Sequence, residues 1–266
     1  MVTGCGGPDS VQSPLMDLHH DAQRQRQLWD RFALHFDDMY APNDPTLCVE
    51  FLHARAGAGR VLELGAGAGR VAVPLAGLGH DILAVELSKP LAAALRDRAG
   101  SLPIEVVVDD IAVLQPTGPF TMAYAVDSTL LHLTEQQRQV DCFRRVAGCL
   151  APEGRFIVET YSPPLDALHA RQHLGLAGLT DDLVVLQATV VDTVRQVIRF
   201  NHVTVQADGN RVVPIEERYV WPSELDLMGQ LAGFELEERW AWFDQSAFTP
   251  GSHGVVSVFR LGRHSS

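Results

Sequence analysis

Short apolar runs alternate with helical patterns through the middle of this chain, and the alternation constrains the fold more than any other feature. The runs RVLELG, DILAVELS and IEVVVDD are rich in branched aliphatic residues, and amphipathic segments separate them. Uninterrupted apolar runs are typical of parallel strands that helices cover on both faces. The repeated strand–helix order therefore predicts a doubly wound α/β domain.

The segments on either side of this core have different sequence patterns. The opening MVTGCGGPDS is small and polar, and residues 1–20 are predicted to form a flexible tail. Residues 21–57 show two helical patterns, the first over about 21–36. The strand–helix core is placed at 58–161. Residues 162–221 are predicted to hold loop, a short helix and three antiparallel strands that form a lid or a dimer contact. Residues 222–266 are predicted to add a helix and two closing strands, so all but the tail forms one domain.

Charge and cysteine usage restrict the partners. Acidic residues outnumber basic ones by 33 to 21, so most of the surface repels a nucleic acid backbone, and nucleic acid is not expected as a partner. No stretch reaches membrane-spanning length and no apolar signal core is present, so we expect a cytoplasmic protein without membrane contact. The four cysteines form no CxxC pair and indicate reduced thiols and no metal site: Cys5, Cys48, Cys142 and Cys149.

A glycine-rich turn, GAGAG at 65–69, directly follows the first apolar run. Such a turn lets the backbone approach a ligand closely. Gly65 and Gly67 match the dinucleotide fingerprint G-x-G-x-x-G, but the third glycine comes one residue early, at Gly69, and Arg70 takes its place. The turn alone leaves two ligands open, a dinucleotide and S-adenosylmethionine (SAM).

Three carboxylates near successive strand ends separate these ligands. Glu63 lies inside the first strand, where a buried carboxylate needs a partner such as the amino group of a methionine moiety. Glu86 ends the second strand and is suited to the ribose hydroxyls of either ligand. Asp110, followed by apolar Ile111, is suited to an adenine ring. Each acid alone could be a helix cap, but the three in order favour SAM.

The sequence at this point resembles the class I SAM-dependent methyltransferases. The matching segments are LELGAGAGR at 62–70, AVELS at 84–88, VVVDDI at 106–111, AVDSTLLHL at 125–133 and LAPEGRFIVE at 150–159. The resemblance implies a Rossmann-like methyltransferase fold, with a seven-stranded sheet whose last strand is antiparallel and SAM held across the strand tips. It also favours Asp110 over Asp109. The expected cofactor-binding residues are Tyr40, Glu63, Gly65, Ala66, Gly67, Arg70, Glu86, Leu87, Asp110, Ile111 and Val126.

The acceptor side of the site rests on fewer signals. Asp127 and His132 belong to VDSTLLHL, the segment after the fourth strand, and in this fold that segment faces the transferable methyl group. His132 is a candidate general base because imidazole titrates near neutrality, with a helix-entry role as its alternative. Asp127 either seats the methionine portion of SAM or caps its turn. Tyr40 is a candidate lid over the sulfonium, and Tyr161, Arg218 and Trp221 are candidate acceptor-pocket residues.

The N-terminal helices and the inserted strands look like the small-molecule branch of the family, which includes natural-product and amino-sugar tailoring enzymes. The expected function is transfer of a methyl group from SAM to an O or N atom of a small metabolite, by a protein that can form a homodimer. One alternative is a protein of the same fold that uses bound SAM for a rearrangement or cyclisation. An NAD-binding oxidoreductase is disfavoured by Arg70 and Glu63.

Overall fold

Strands and helices follow one another along the chain in the predicted order. The computed structural model describes residues 22–33, 44–163, 165–207 and 209–262. Two helices come first, α1 (Ala22–Phe32) and α2 (Thr46–His53). The core then consists of β1 (Val61–Leu64), α3 (Ala72–Gly77), β2 (Ile82–Glu86), α4 (Lys89–Ala99), β3 (Ile104–Val108), β4 (Phe120–Ala125), a 3-10 helix (Thr129–His132), α5 (Gln136–Cys149) and β5 (Leu150–Tyr161).

The second half of the chain adds a separate sheet and closes the first. Its elements are α6 (Leu165–Ala170), β6 (Gln172–Leu179), β7 (Leu183–Asp192), β8 (Val197–Gln206), β9 (Gly209–Arg218), α7 (Pro222–Leu231), β10 (Phe234–Trp240) and β11 (Gly254–Leu261). The main sheet has seven strands in the order β10-β11-β5-β4-β1-β2-β3. Strands β1 to β5 pair in parallel, whereas β11 is antiparallel to both β5 and β10. The predicted doubly wound sheet with an antiparallel last strand is confirmed.

Helices cover both faces of the main sheet. On one face Phe143 of α5 packs edge-on against Phe156 and Phe259, with ring centroids 5.0 and 5.5 Å apart. On the other face Leu75 and Leu95, from α3 and α4, are fully buried against β1 and β2. Burial on both faces is the reason that the central strands are mostly apolar. The carboxyl-terminal edge of the sheet is thus left as the place where polar side chains collect.

The inserted sheet differs from the prediction. It has four antiparallel strands in the order β6-β7-β8-β9, not three, because QHLGLAGL forms strand β6. Gly175 and Gly178 give this segment a weak strand propensity, and its place at the edge comes from backbone pairing with β7, which shifts register between Leu176 and Gly178. Leu174 and Leu176, two residues apart, were the available sequence signal.

Several sequence expectations concern the ends of the chain and the thiols. The first helix was expected over 21–36; the structure shows Ala22–Phe32, and residues 34–36, the tail and Tyr40 lie outside the described residues. Cys48, Cys142 and Cys149 are buried free thiols, and Cys5 lies outside the described residues as well. Across the described ranges, no helix combines the length and the apolar character needed to cross a membrane.

Candidate active site

The glycine turn after β1 has a backbone that other residues adopt poorly. Gly65, Gly67 and Gly69 have φ angles of +70°, +55° and +89°. A Cβ atom on Gly65 would lie 2.5 Å from Cγ2 of Thr129, and one on Gly69 would lie 2.3 Å from Cδ1 of Leu95 in α4. Gly69 therefore permits the close packing that the third glycine provides in dinucleotide sites, from a position one residue earlier.

Glu86 is fixed at the end of β2 by the backbone around it. Its Oε2 accepts a hydrogen bond from the Gly67 N–H at 2.8 Å, and its Oε1 accepts one from the Ser88 N–H at 2.7 Å. Burial raises the pKa of this carboxyl, and the two backbone bonds oppose that rise. Each oxygen keeps a further lone pair for a donor in the adjoining cleft.

Glu63 is the most isolated acid of the site. It is 3% exposed, and burial raises its pKa to about 8. The nearby Tyr124 hydroxyl lowers this pKa and so partly offsets the effect of burial. Among the residues that the structure describes, Oε2 of Glu63 has no hydrogen-bond partner, and neither has the Tyr124 hydroxyl. An unsatisfied buried carboxylate oxygen is costly, so the position is suited to a ligand amino group.

Asp110 follows β3 and is paired with a residue that the sequence did not single out. Its Oδ1 accepts from the Ala112 N–H at 2.9 Å, and its Oδ2 forms an ion pair with Nη2 of Arg138 on α5. The structure places Asp110 and Arg138 on the cleft wall. Asp109 is not among the wall residues, and its Oδ1 accepts a bond from the Asp110 N–H.

One cleft at the carboxyl edge of the sheet brings these groups together. All the predicted cofactor residues of the described part line it: Glu63, Gly65, Ala66, Gly67, Arg70, Glu86, Leu87, Asp110, Ile111 and Val126. Gln25 and Trp29 of α1 and Thr129 and Leu133 lie on its wall as well. These groups fit the parts of SAM. Glu86, beside the glycine turn, suits the ribose, and Glu63, with its unsatisfied buried oxygen, suits the amino group. The apolar side chains near Asp110 suit the adenine.

A strained turn joins β4 to the 3-10 helix. Asp127 and Ser128 have φ angles of +54° and +57°, which cost non-glycine residues about 1–3 kcal/mol each. The turn is held from both sides, because Glu159 Oε2 accepts from the Ser128 N–H at 2.9 Å and Arg70 forms a forked ion pair with Asp127. The Arg70–Asp127 pair fixes this turn to the glycine turn.

His132 ends the 3-10 helix and lies between the two sheets. Its Nδ1 is 3.4 Å from the carbonyl oxygen of Glu216, and its Nε2 is 3.8 Å from Oε1 of Glu217. Its ring meets Trp29 of α1 edge-to-face, with centroids 4.6 Å apart. Burial lowers the pKa of His132 to about 4, so the imidazole is neutral at pH 7.

A larger cavity of about 1070 Å³ lies between the strand tips and the inserted sheet. Trp29, Asp127 and His132 line both this cavity and the cofactor cleft, so the two spaces meet there.

The wall of this cavity is acidic where the strand tips meet the inserted sheet. It includes Glu159 and Glu217, two residues that sequence reasoning missed, although Glu159 interrupts an apolar strand just as Glu63 does. Burial raises the pKa of each carboxyl to about 7. The hydroxyl of Tyr161, a predicted acceptor-pocket residue, donates to Glu217 Oε2 at 2.7 Å.

The other two predicted acceptor residues are elsewhere. Arg218 is 3% exposed and bonded to Oε1 of Gln139 at 2.6 Å and Oε1 of Glu224 at 2.7 Å. Trp221 is 39% exposed and directly precedes α7. Neither Arg218 nor Trp221 is among the described residues that line the cofactor cleft or the larger cavity. Arg218 anchors β9 to α5 and α7 instead.

Comparisons with known proteins agree with this geometry. Residues 61–154 match the methyltransferase domain family. The CcbJ methyltransferase from Streptomyces caelestis is 34% identical over 92% of this chain and 100% of its own, with a TM-score of 0.85. SAM-bound CalS10, an amino pentose methyltransferase from Micromonospora echinaspora, is 18% identical over 91% of this chain and 99% of its own, with a TM-score of 0.61.

A third similar structure is the sugar N-methyltransferase KedS8 from Streptoalloteichus sp. ATCC 53650. It is 16% identical over 86% of this chain and 93% of its own, with a TM-score of 0.61. At this identity, as for CalS10, the likeness is one of fold. No curated protein matches the chain.

The glycine turn, the strand-tip acids, the sheet order and the 34% identity over nearly the whole chain lead to one assignment. The chain belongs to the class I SAM-dependent methyltransferases.

Proposed function

We propose that this methyltransferase acts on a nitrogen atom of a small amine. Of the O and N acceptors that the sequence leaves open, the acidic wall of the second cavity favours nitrogen, because Glu159 and Glu217 are buried and face the space next to the cofactor cleft. Buried carboxylates of this kind stabilise an ammonium group far better than a neutral hydroxyl. CalS10 is an amino pentose methyltransferase and KedS8 is a sugar N-methyltransferase, which adds support for a sugar-like or natural-product amine.

The cofactor cleft would hold SAM through its acids and backbone. Glu86 accepts from the ribose hydroxyls, Glu63 binds the methionine amino group, and Asp110 with Arg138 lies at the adenine. Bound SAM supplies a methyl group activated by a positive sulfur. The residues of the cleft orient that group toward the shared wall of the two cavities, where alignment of donor and acceptor can lower the barrier by about 7–11 kcal/mol.

A free amine arrives mostly protonated, since alkyl ammonium groups have pKa values near 10. The nitrogen must lose one proton before its lone pair can form the new N–C bond as the S–C bond breaks. His132 lies where the cavities meet and is neutral at pH 7, so its Nε2 can accept that proton, but the low pKa that burial gives the ring makes it a weak base unless a negative charge lies nearby. Glu217, 3.8 Å from Nε2, stabilises the imidazolium. Asp127 keeps the turn beside the acceptor in place through Arg70.

Acceptor chemistry tests the proposal. Labelled SAM is offered with matched pairs of amines and alcohols, such as 3-phenylpropan-1-amine and 3-phenylpropan-1-ol, and methyl incorporation is read by mass. We expect methylation of amines and not of alcohols. The value of kcat/KM should rise with pH through about 7, because Glu159 and Glu217 bind ammonium only when ionised and their pKa values lie there. Equal methylation of the alcohols, or a flat pH profile between pH 6 and 8, would contradict the amine site.

The adenine contact can be tested separately by comparing two neighbouring acids. Asp110→Ala should weaken SAM binding by about 1–3 kcal/mol through loss of a buried acceptor that Arg138 orients. Asp109→Asn removes the same charge one residue away but keeps the oxygen that accepts from the Asp110 N–H, and it should leave the affinity nearly unchanged because Asp109 does not line the cleft. Isothermal titration of SAM measures both. If the two changes weakened SAM binding equally, Asp110 would not be the residue that contacts the adenine.

A further inference from the structure

One face of the inserted sheet forms the far wall of the acceptor cavity, and its side chains lie in rows across the strands. Directly paired residues of antiparallel strands share a face. Ile198 pairs with Glu217 in the first row, and Phe200 pairs with Ile215 in the second. Gln187 pairs with His202 in the third. Successive rows are two residues apart along each strand, a spacing of about 7 Å.

The three rows differ in chemistry. The first carries the Glu217 carboxylate beside the joint between the cavities. The second is mostly apolar: Phe200 and Ile215 are both half-buried and both line the cavity, and Thr189, which pairs with Phe200, adds one hydroxyl. Trp29 and Phe32 of α1 line the same space and pack with Ile215.

The third row presents polar groups to the cavity, because its apolar member, Val213, is buried in a cluster with Phe32 of α1 and is not among the cavity-lining residues. Gln187 and His202 line the cavity, and burial lowers the pKa of His202, which favours the neutral ring. The apolar side chains of this wall are therefore centred on the second row, with Glu217 and Ile198 at one border and hydrogen-bonding groups at the other. One row has the width of a single ring or a short branched chain.

We infer that the acceptor carries an apolar group of about one ring in size, roughly 7 Å from the nitrogen that is methylated, and that Phe200 and Ile215 of the inserted sheet bind this group. The inference rests on the proposed amine site, because Glu217 sets the position of the nitrogen. Phe200 and Ile215 then determine specificity and do not take part in the chemistry.

The test measures binding of two amines to the protein loaded with S-adenosylhomocysteine, so that no methyl transfer occurs. In 3-phenylpropan-1-amine the ring lies about one row from the nitrogen, and propan-1-amine lacks the ring. By isothermal titration, wild-type protein should bind the phenyl amine about tenfold to a hundredfold more tightly, as expected for burial of a ring.

Three variants assign the effect. Phe200→Ala should remove most of the advantage of the phenyl amine and leave propan-1-amine binding unchanged, and Ile215→Ala should do the same to a smaller extent. Val203→Ala is the matched control, since Val203 lies on the same strand, is half-buried and faces away from the Phe200 side of the sheet. It should change neither affinity.

The outcomes separate this inference from the function on which it rests. Equal binding of both amines to the wild type, or an equal loss for both in Phe200→Ala, overturns the apolar subsite. In that case Glu217→Gln would still weaken both amines if the amine site is right. If neither amine binds, or if Glu217→Gln has no effect on either, the proposed amine site fails and the apolar subsite fails with it.

Discussion

Replacing Glu86 with alanine is expected to raise the dissociation constant for SAM by about two orders of magnitude, the equivalent of two charge-assisted hydrogen bonds. Glu86 connects the glycine turn to the loop after β2, because its two oxygens bind the Gly67 and Ser88 N–H groups. The change removes the ribose acceptor and also frees the turn. Titration calorimetry of SAM measures the affinity, and thermal melting measures the accompanying loss of stability.

Two further variants give this experiment its controls. Glu105→Ala removes the same charge from a largely exposed side chain on the neighbouring strand β3, where Glu105 pairs with Arg60, and should leave SAM binding unchanged. Glu86→Gln keeps an oxygen that can still support the turn and should bind SAM with intermediate affinity. SAM binding by Glu86→Ala within twofold of the wild type would show that the ribose lies elsewhere.

The second large effect is expected on turnover. Replacing His132 with alanine should lower kcat for an amine acceptor by about 10²–10⁴-fold, the usual contribution of a positioned base, with a much smaller change in SAM affinity. Loss of the edge contact with Trp29 will also loosen α1, so a stability measurement must accompany the kinetics. Single-turnover rates with labelled SAM separate the chemical step from product release.

A histidine at the opposite edge of the sheet provides the control for His132. His80→Ala, just before β2, should leave kcat unchanged. Glu217→Gln should slow turnover in the wild type but have little further effect in His132→Ala, because the two groups act as one unit. Full turnover in His132→Ala would show that His132 is not the general base.

The sequence was sufficient for those parts of the site that depend on local order. Strand tips of a parallel sheet meet at one edge, so Glu63, Glu86 and Asp110 could be brought together from their positions alone. The glycine turn also lies at this edge, and its third glycine packs closely against α4, since a Cβ on Gly69 would lie 2.3 Å from Cδ1 of Leu95.

Contacts between distant segments could not be predicted in the same way. Arg138 lies 28 residues from Asp110 on an amphipathic helix, where an arginine indicates only a solvated face. Tyr161 and Glu217 are 56 residues apart on different sheets, and their pairing depends on how the inserted sheet packs. Arg218 and Trp221 were predicted for the acceptor pocket from their place in the chain, but β9 directs Arg218 toward α5 and α7.

Helix α1 makes polar contacts with both halves of the site. Asp30 accepts from the Ser88 hydroxyl at 2.8 Å, beside the ribose-binding acid, and Arg24 donates to Glu216 of the inserted sheet at 2.8 Å. A ligand that orders either end of this helix also lowers the entropic cost of ordering the other. We expect cofactor and acceptor to bind cooperatively, each tightening the other by the same factor, since such linkage is reciprocal. Titration of S-adenosylhomocysteine should then give a lower dissociation constant when 3-phenylpropan-1-amine is present than when it is absent.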